Sequence, residues 1–247
     1  MKKIVIAVLL ILIMAVPALA KTEITLPAGF GQEQFKGLST DLGLAISYVP
    51  LATAEPLGGV LPHVDAGVEV TGVQIDTNKD YWQAVQTTSS DKIPSTLPFP
   101  KFHIQVGLPI LPIDLGYVYG SVPGTDIKYM GGEIKWAILQ GSVATPALAI
   151  RGAYTKLSGV TDVDISTKSV DLSISKGFAI FTPYAGYGMV WIESKEKSPL
   201  VTLTDESLSE PKWFVGTKIT FFPLMNLVIE ADFAEVNSYS ARLNIHF

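Results

Sequence analysis

From His63 to Phe247 the chain repeats one pattern: short segments in which apolar and polar residues alternate one for one. A period of two belongs to a strand whose two faces meet different surroundings. Ten such segments are legible: 63–75, 100–109, 113–122, 127–139, 146–157, 168–176, 181–193, 212–222, 226–236 and 238–247. One face of the set carries Val68, Phe102, Ile104, Tyr117, Ile134, Trp136, Ile150, Leu172, Trp191, Trp213, Ile229 and Tyr239, with no charge among them. The other face carries Asp65, Glu69, Lys101, His103, Gln105, Glu133, Lys135, Arg151, Asp171, Lys218, Glu230, Asp232 and Arg242.

The connections are uneven. The three longest (76–99, 158–167 and 194–211) all follow odd-numbered segments, and most others are short. Short turns at one end, long loops at the other and an even strand number describe an outer-membrane barrel, with lipid on the apolar face and the lumen on the polar one. Aromatic placement agrees. Tyr119, Tyr154, Trp191, Trp213 and Tyr239 stand nearest the odd-numbered loops, and Phe221 and Phe247 at the opposite ends, as two interfacial belts would. The expectation is an all-β fold: a transmembrane antiparallel up-and-down β-barrel of ten strands over 63–247, with both termini on the periplasmic side.

Residues 21–62 fit less well. Phe35, Leu38, Leu42 and Ile46 have helical spacing, while Leu42, Leu44, Ile46 and Tyr48 also alternate like a strand. An eleventh strand would leave the N-terminus outside, so parity favours a helix over Gln32–Tyr48, in or under the lumen, followed by a loop. Gly37 and Gly43 count against a helix, and two extra strands, making twelve, are the alternative. Asp80–Val85 suggests a helical turn in the first long loop.

The start of the chain fixes the compartment. "MKKIVIAVLLILIMAVPALA" has two lysines, an apolar run and a small-residue site, which reads as a signal peptide cleaved after Ala20. Without Lys2 and Lys3, 16 basic residues face 23 acidic ones, a net charge of -7. An acidic chain without a basic run is a poor nucleic-acid binder. There is no cysteine, so disulfides and thiolate metal sites are excluded.

Candidate chemistry is sparse. No phosphate-binding glycine loop, paired-histidine metal motif or serine elbow occurs, and the histidines are His63, His103 and His246. We therefore expect no enzyme, no cofactor and no metal. The informative feature is a ring of lumen charges: Glu69, Lys101, His103, Glu133, Lys135, Arg151, Asp171, Lys218, Glu230 and Arg242. Signs largely alternate from strand to strand, which suits a salt-bridge network filling a narrow barrel, or a polar constriction passing a small solute.

The final segment, "SYSARLNIHF", alternates to its last residue. Tyr239, Leu243, Ile245 and Phe247 resemble the terminal signal by which Gram-negative outer-membrane proteins are recognised by their assembly machinery. With "TPYAGYGMVWI" and "FFPLMNLVIEADF", the chain resembles the small, largely uncharacterised outer-membrane β-barrel proteins of these bacteria. The resemblance implies outer-membrane lipid and the assembly machinery as partners, and a small channel, transport or structural surface protein. An outer-membrane enzyme with a rim site and a soluble periplasmic lipid-binding barrel are the rival readings.

Overall fold

The computed structural model describes residues 24–89, 92–122, 126–222 and 224–247, so the expected signal peptide lies outside the described residues. Ten strands follow in order: β1 (His63–Gln74), β2 (Thr96–Gly107), β3 (Ile113–Ser121), β4 (Lys128–Leu139), β5 (Ala147–Ser158), β6 (Val163–Ser175), β7 (Phe181–Glu196), β8 (Glu206–Phe222), β9 (Met225–Phe233) and β10 (Ser238–His246). Each pairs antiparallel with its sequence neighbours, and β10 returns to β1 to close the barrel. Beyond that ladder, Phe247 exchanges both backbone hydrogen bonds with Val64, at 2.8 and 2.9 Å. Closure leaves no open edge, the condition for a sheet to stand in hydrocarbon.

The apolar face points outward. Phe102, Ile134, Trp136, Leu172, Trp213, Ile229 and Tyr239 are all exposed, Trp213 by 60% and Ile134 by 54%. No charged side chain interrupts this outward band. Outward charges begin with Lys168, whose cross-strand partners are Tyr154 and Trp191. Beyond that level the outward positions become Lys156, Asp164, Glu193 and Lys195, joined in part by Lys168–Glu193 (2.6 Å) and Lys156–Asp164 (3.7 Å).

The inward positions reverse at the same level. Leu157, Val163, Ile165, Val190 and Ile192 are buried and apolar, and they join one core with Phe99, Tyr129 and Val73. This is why β2, β6 and β8 begin earlier than the alternation pattern suggests, and why β7 runs further. Alternation continues through these stretches, but its polarity changes sign, so a pattern matched to lipid outside stops short.

Helix α1 (Gln32–Ile46) fills this apolar end, buried through Phe35, Leu38 and Leu42, and packs on α2 (Asp80–Thr88) from the first odd connection. Gln34 accepts from the Gly31 N–H (3.0 Å) to cap its start. Gly37 and Gly43, unfavourable for a helix, have a reason. A Cβ at Gly37 would lie 2.5 Å from the Tyr81 ring, and one at Gly43 would lie 2.4 Å from Ile192. Both allow close approach of the helix to what surrounds it.

One expectation is overturned. Residues 24–46 sit at the end of the odd connections, not at the end where β1 begins: the Leu26 N–H donates to Asp162 (2.8 Å), and Ser39 pairs with Ser194 (2.9 Å). The helix ends at Ile46, not Tyr48, and the chain then threads the lumen to reach His63. Parity counts strands, and a segment crossing inside the barrel changes ends without pairing.

The outward band predicts a depth dependence. Ile229→Arg should cost about 2–4 kcal/mol, and Ser166→Arg, outward on β6 beyond the aromatic level, about 0–1 kcal/mol. Urea unfolding in lipid vesicles measures both, and equal costs would deny the band a lipid neighbour.

Candidate functional site

The site is the lumen and the segment inside it. An extended chain needs partners for its N–H and C=O groups, and here wall side chains supply them. Below α1, the Tyr48 carbonyl accepts from Lys212 (2.7 Å). The Leu51 N–H donates to Glu230 (3.0 Å), and the Ala54 N–H to Ser175 (3.1 Å). Lys135 donates to the carbonyls of Thr53 (2.9 Å) and Glu55 (2.8 Å), and the Leu57 N–H meets both Asp114 oxygens at 3.0 Å. The wall thus holds residues 48–57 at successive depths.

The charges between these contacts are paired around the wall. Glu69 takes Lys101 (2.7 Å), its register partner across β1 and β2, and His103 Nδ1 (2.9 Å), which stands opposite Gly67. The other ring nitrogen of His103 meets the Tyr48 hydroxyl at 3.0 Å. Lys135 pairs with Asp114 (2.8 Å), and Arg151 lies between Glu133 (3.1 Å) and Asp171 (3.9 Å). Arg242 reaches Asp65 (3.7 Å) and donates to Gln105 (3.2 Å). Gln105 in turn donates to Glu133. Arg151 and Arg242 are among the most buried side chains of the molecule.

Of the ten expected lumen charges, seven are thus in ion pairs, and His103 is hydrogen-bonded to Glu69. Glu230 instead accepts hydrogen bonds from Leu51 and the Tyr184 hydroxyl (2.6 Å). Lys218 has no ion-pair partner among the described residues; it lines a polar cavity of about 300 Å³ at the even-turn end, with Lys135, Arg242, His246, Asp65 and Asn226. His63 stacks on His246 at 5.1 Å. Three participants were missed from sequence. Lys212, paired with Asp232 (3.3 Å), and Tyr184 both sit at inward parity, so the alternation pointed to them. Tyr48 belongs to the segment, and no periodicity marks an extended chain held by a wall.

At the other end the segment is anchored by a buried acid. Asp41 accepts from Trp82 Nε1 (2.7 Å) and the Tyr81 hydroxyl (3.0 Å), with Lys79 at 3.6 Å, which ties α1 to α2. Burial pushes its carboxyl above the ordinary value, against the pull of Trp82, Lys79 and Tyr81.

In chemical terms the lumen binds and excludes. Both nitrogens of the one central histidine are engaged, and among the described residues no group of three or more acidic or histidine side chains is arranged around a metal position.

No family model and no curated protein matches the chain. Among solved structures, Ail, the attachment invasion locus protein of Yersinia pestis, in complex with the heparin analogue sucrose octasulfate, shares 11% identity over 75% of this chain and 97% of its own, with a TM-score of 0.30. The outer-membrane protease OmpT of Escherichia coli shares 9% over 75% and 96%, with a TM-score of 0.38. The KdgM porin in complex with disordered oligogalacturonate shares 8% over 75% and 99%, with a TM-score of 0.36. At these values the likeness adds nothing to the architecture read from the strands themselves.

Two outcomes follow. Glu69→Gln leaves Lys101 buried beside a neutral group and should cost about 3–5 kcal/mol, while Glu69→Gln with Lys101→Met should recover most of that; chemical unfolding of both variants checks it. Asp41, raised in the folded state, contributes stability that is complete below its unfolded value of 3.8 and lost as pH rises through the folded value. Asp41→Asn keeps an acceptor for Trp82 and removes the titration. The melting temperature of the variant should therefore gain on the parent as pH climbs from about 4 towards neutrality, and parallel curves would contradict the assignment.

Proposed function

We propose that the protein is an outer-membrane β-barrel, exported through a leader over residues 1–20, whose own N-terminal segment (21–62) closes the lumen of the barrel domain (63–247). The membrane reading draws on the uncharged outward band between aromatic levels, an exposed apolar surface that lipid would cover. Tyr239, Leu243, Ile245 and Phe247 serve as its assembly signal, and lipid and the assembly machinery are its partners.

The observation that carries the functional reading is the series of wall contacts along residues 48–57. Its hydrogen bonds run mostly from polar wall side chains to the main chain of the segment, while Val49 and Leu51 also pack on Tyr184, Phe214 and Val228, and Ala54 on Ala147 and Ala149. Each such contact to a charged wall group is worth about 1.5–3 kcal/mol and can be replaced by water, whereas a buried apolar face finds no substitute in water. The lower lumen holds its occupant by polar wall contacts and two small apolar patches, and α1, set in the large apolar core, is the part built to stay. We read a transport barrel that is shut at rest and passes a small solute only when the segment shifts. No enzymatic role is proposed, since the central histidine is committed on both sides. A structural surface role is the second reading, favoured by the folded apolar cap beyond the aromatic level.

Planar-bilayer recording tests this. The full-length protein, shown to be folded by a heat-shift on a denaturing gel, should be silent. Lys135→Ala with Lys212→Ala, which releases Thr53, Glu55 and Tyr48, should produce intermittent openings. A large steady current through the parent would eliminate the plug, and silence in both would favour the surface role.

A further inference from the structure

Among the described residues, the closed wall of the barrel is lower at one place. The β2–β3 ladder ends at Lys101–Gly120, although β2 stays paired with β1 five residues further, to Thr96. The sequence enforces this stop. The Pro100 carbonyl accepts from the Tyr129 hydroxyl (2.6 Å), whose ring lies across Gly120 of β3. That side of Pro100 therefore faces β3, and so does the same side of Pro98, two residues away. Both positions lack an N–H, so this stretch of edge offers no donor for β3 to accept. The β3–β4 ladder ends with the rung Ser121–Lys128, followed by the Val122 N–H bond to the Ile127 carbonyl (2.9 Å), and among the described residues this leaves a notch between the outer ends of β2 and β5.

Behind the notch lies an apolar cavity of about 60 Å³. Leu42, Ile46, Trp82, Phe99 and Leu157 form its buried floor, and the half-buried Pro94, Pro98, Ile127 and Val160 its mouth. Its lining is almost wholly hydrocarbon, so a water there would find no partners. The volume excludes a ring system and takes only about the last two or three carbons of a chain, the rest of which would lie along the notch. The mouth lies beyond Tyr119 and Tyr154, on the water side of the outward band. Exposed Lys92 and Lys128 stand next in sequence to the lining residues Ile93 and Ile127, with Asp126 beside them.

We propose that this notch is a binding site for the hydrocarbon chain of a free single-chain amphiphile, such as an alkyl carboxylate, taken from the aqueous side with its polar head left at the rim. The site goes beyond the gating reading and does not depend on movement of residues 47–61. Trp82 in the floor is a built-in reporter. In a variant with Trp136→Phe, Trp191→Phe and Trp213→Phe, all on the outward face, Trp82 is the single tryptophan.

The barrel is placed in vesicles of unbrominated phosphatidylcholine and titrated with ω-bromododecanoate. Quenching of Trp82 should saturate, be relieved by dodecanoate and not by acetate, and weaken roughly tenfold or more when Ile127→Phe or Val160→Phe fills the mouth. The heat-shift confirms that each variant is folded. Quenching that rises without saturation, or is unchanged in both filled variants, overturns the site. A second arm uses dibrominated phosphatidylcholine with no added amphiphile. Strong quenching there would make bilayer chains the occupant and overturn the aqueous source. Failure to enter vesicles at all would count against the membrane reading instead, and the titration can then be run in buffer.

Discussion

Every strand of this barrel obeys one constraint: a side chain matches the medium it faces, and the medium changes along the strand. Up to the level of Tyr154, Lys168 and Trp191 the outside is apolar and the inside carries the charges, with Tyr184, Phe214 and Val228 an apolar patch against the segment; beyond it, Lys156, Asp164, Glu193 and Lys195 face out, and Leu157, Ile165, Val190 and Ile192 face in. A barrel wholly in water would be apolar inside throughout, and one wholly in lipid would never carry charges outside. The reversal therefore locates a boundary, and the fold on either side of it obeys different rules. On the far side the molecule is a conventional apolar core, into which a helix can pack. On the near side the lumen must be filled by polar groups that satisfy one another.

That division explains how a single N-terminal segment can do two things. Its helical part is held by burial, with Phe35, Leu38 and Leu42 in the core and two glycines permitting close approach. Its extended part cannot join the closed sheet, so its main chain relies on Lys212, Glu230, Lys135 and Asp114. Lys135 and Asp114 also pair with each other across β3 and β4, so the same groups neutralise one another and hold the segment.

The sequence was most legible where one rule applied for long. Alternation with a fixed sign gave the strand number, the outward apolar face and the inward placement of Glu69, Lys101, His103, Glu133 and Arg151, because each depends only on period two. It failed where the sign changed: the outer ends of β2, β6, β7 and β8 were assigned to loops. It failed again for residues 47–62, which have no periodicity because their partners are scattered over several strands. The parity argument rightly rejected an eleventh strand but took for granted that a chain changes ends only by pairing. Gly37 and Gly43 misled for another reason. Intrinsic propensity counts their cost, and only the positions of Tyr81 and Ile192 reveal the compensation.

The lower lumen also poses an energetic choice. Burying Arg151 between Glu133 and Asp171, or Glu69 between Lys101 and His103, gains less than apolar side chains of equal volume would, because each ion first loses its water. A barrel selected for stability alone would have extended the apolar core of its outer end down the whole lumen. Keeping charge there makes sense if the wall has to survive without its occupant. An apolar wall emptied of the segment would collapse or refill with hydrocarbon, while one of ion pairs accepts water and keeps its bore. The polar cavity of about 300 Å³ beside Lys218, Arg242 and Asp65 is already such a space. On the gating reading proposed above, filling and openness would be two states of the same ring of charges, with the strength of the segment's wall contacts relative to water setting the balance between them.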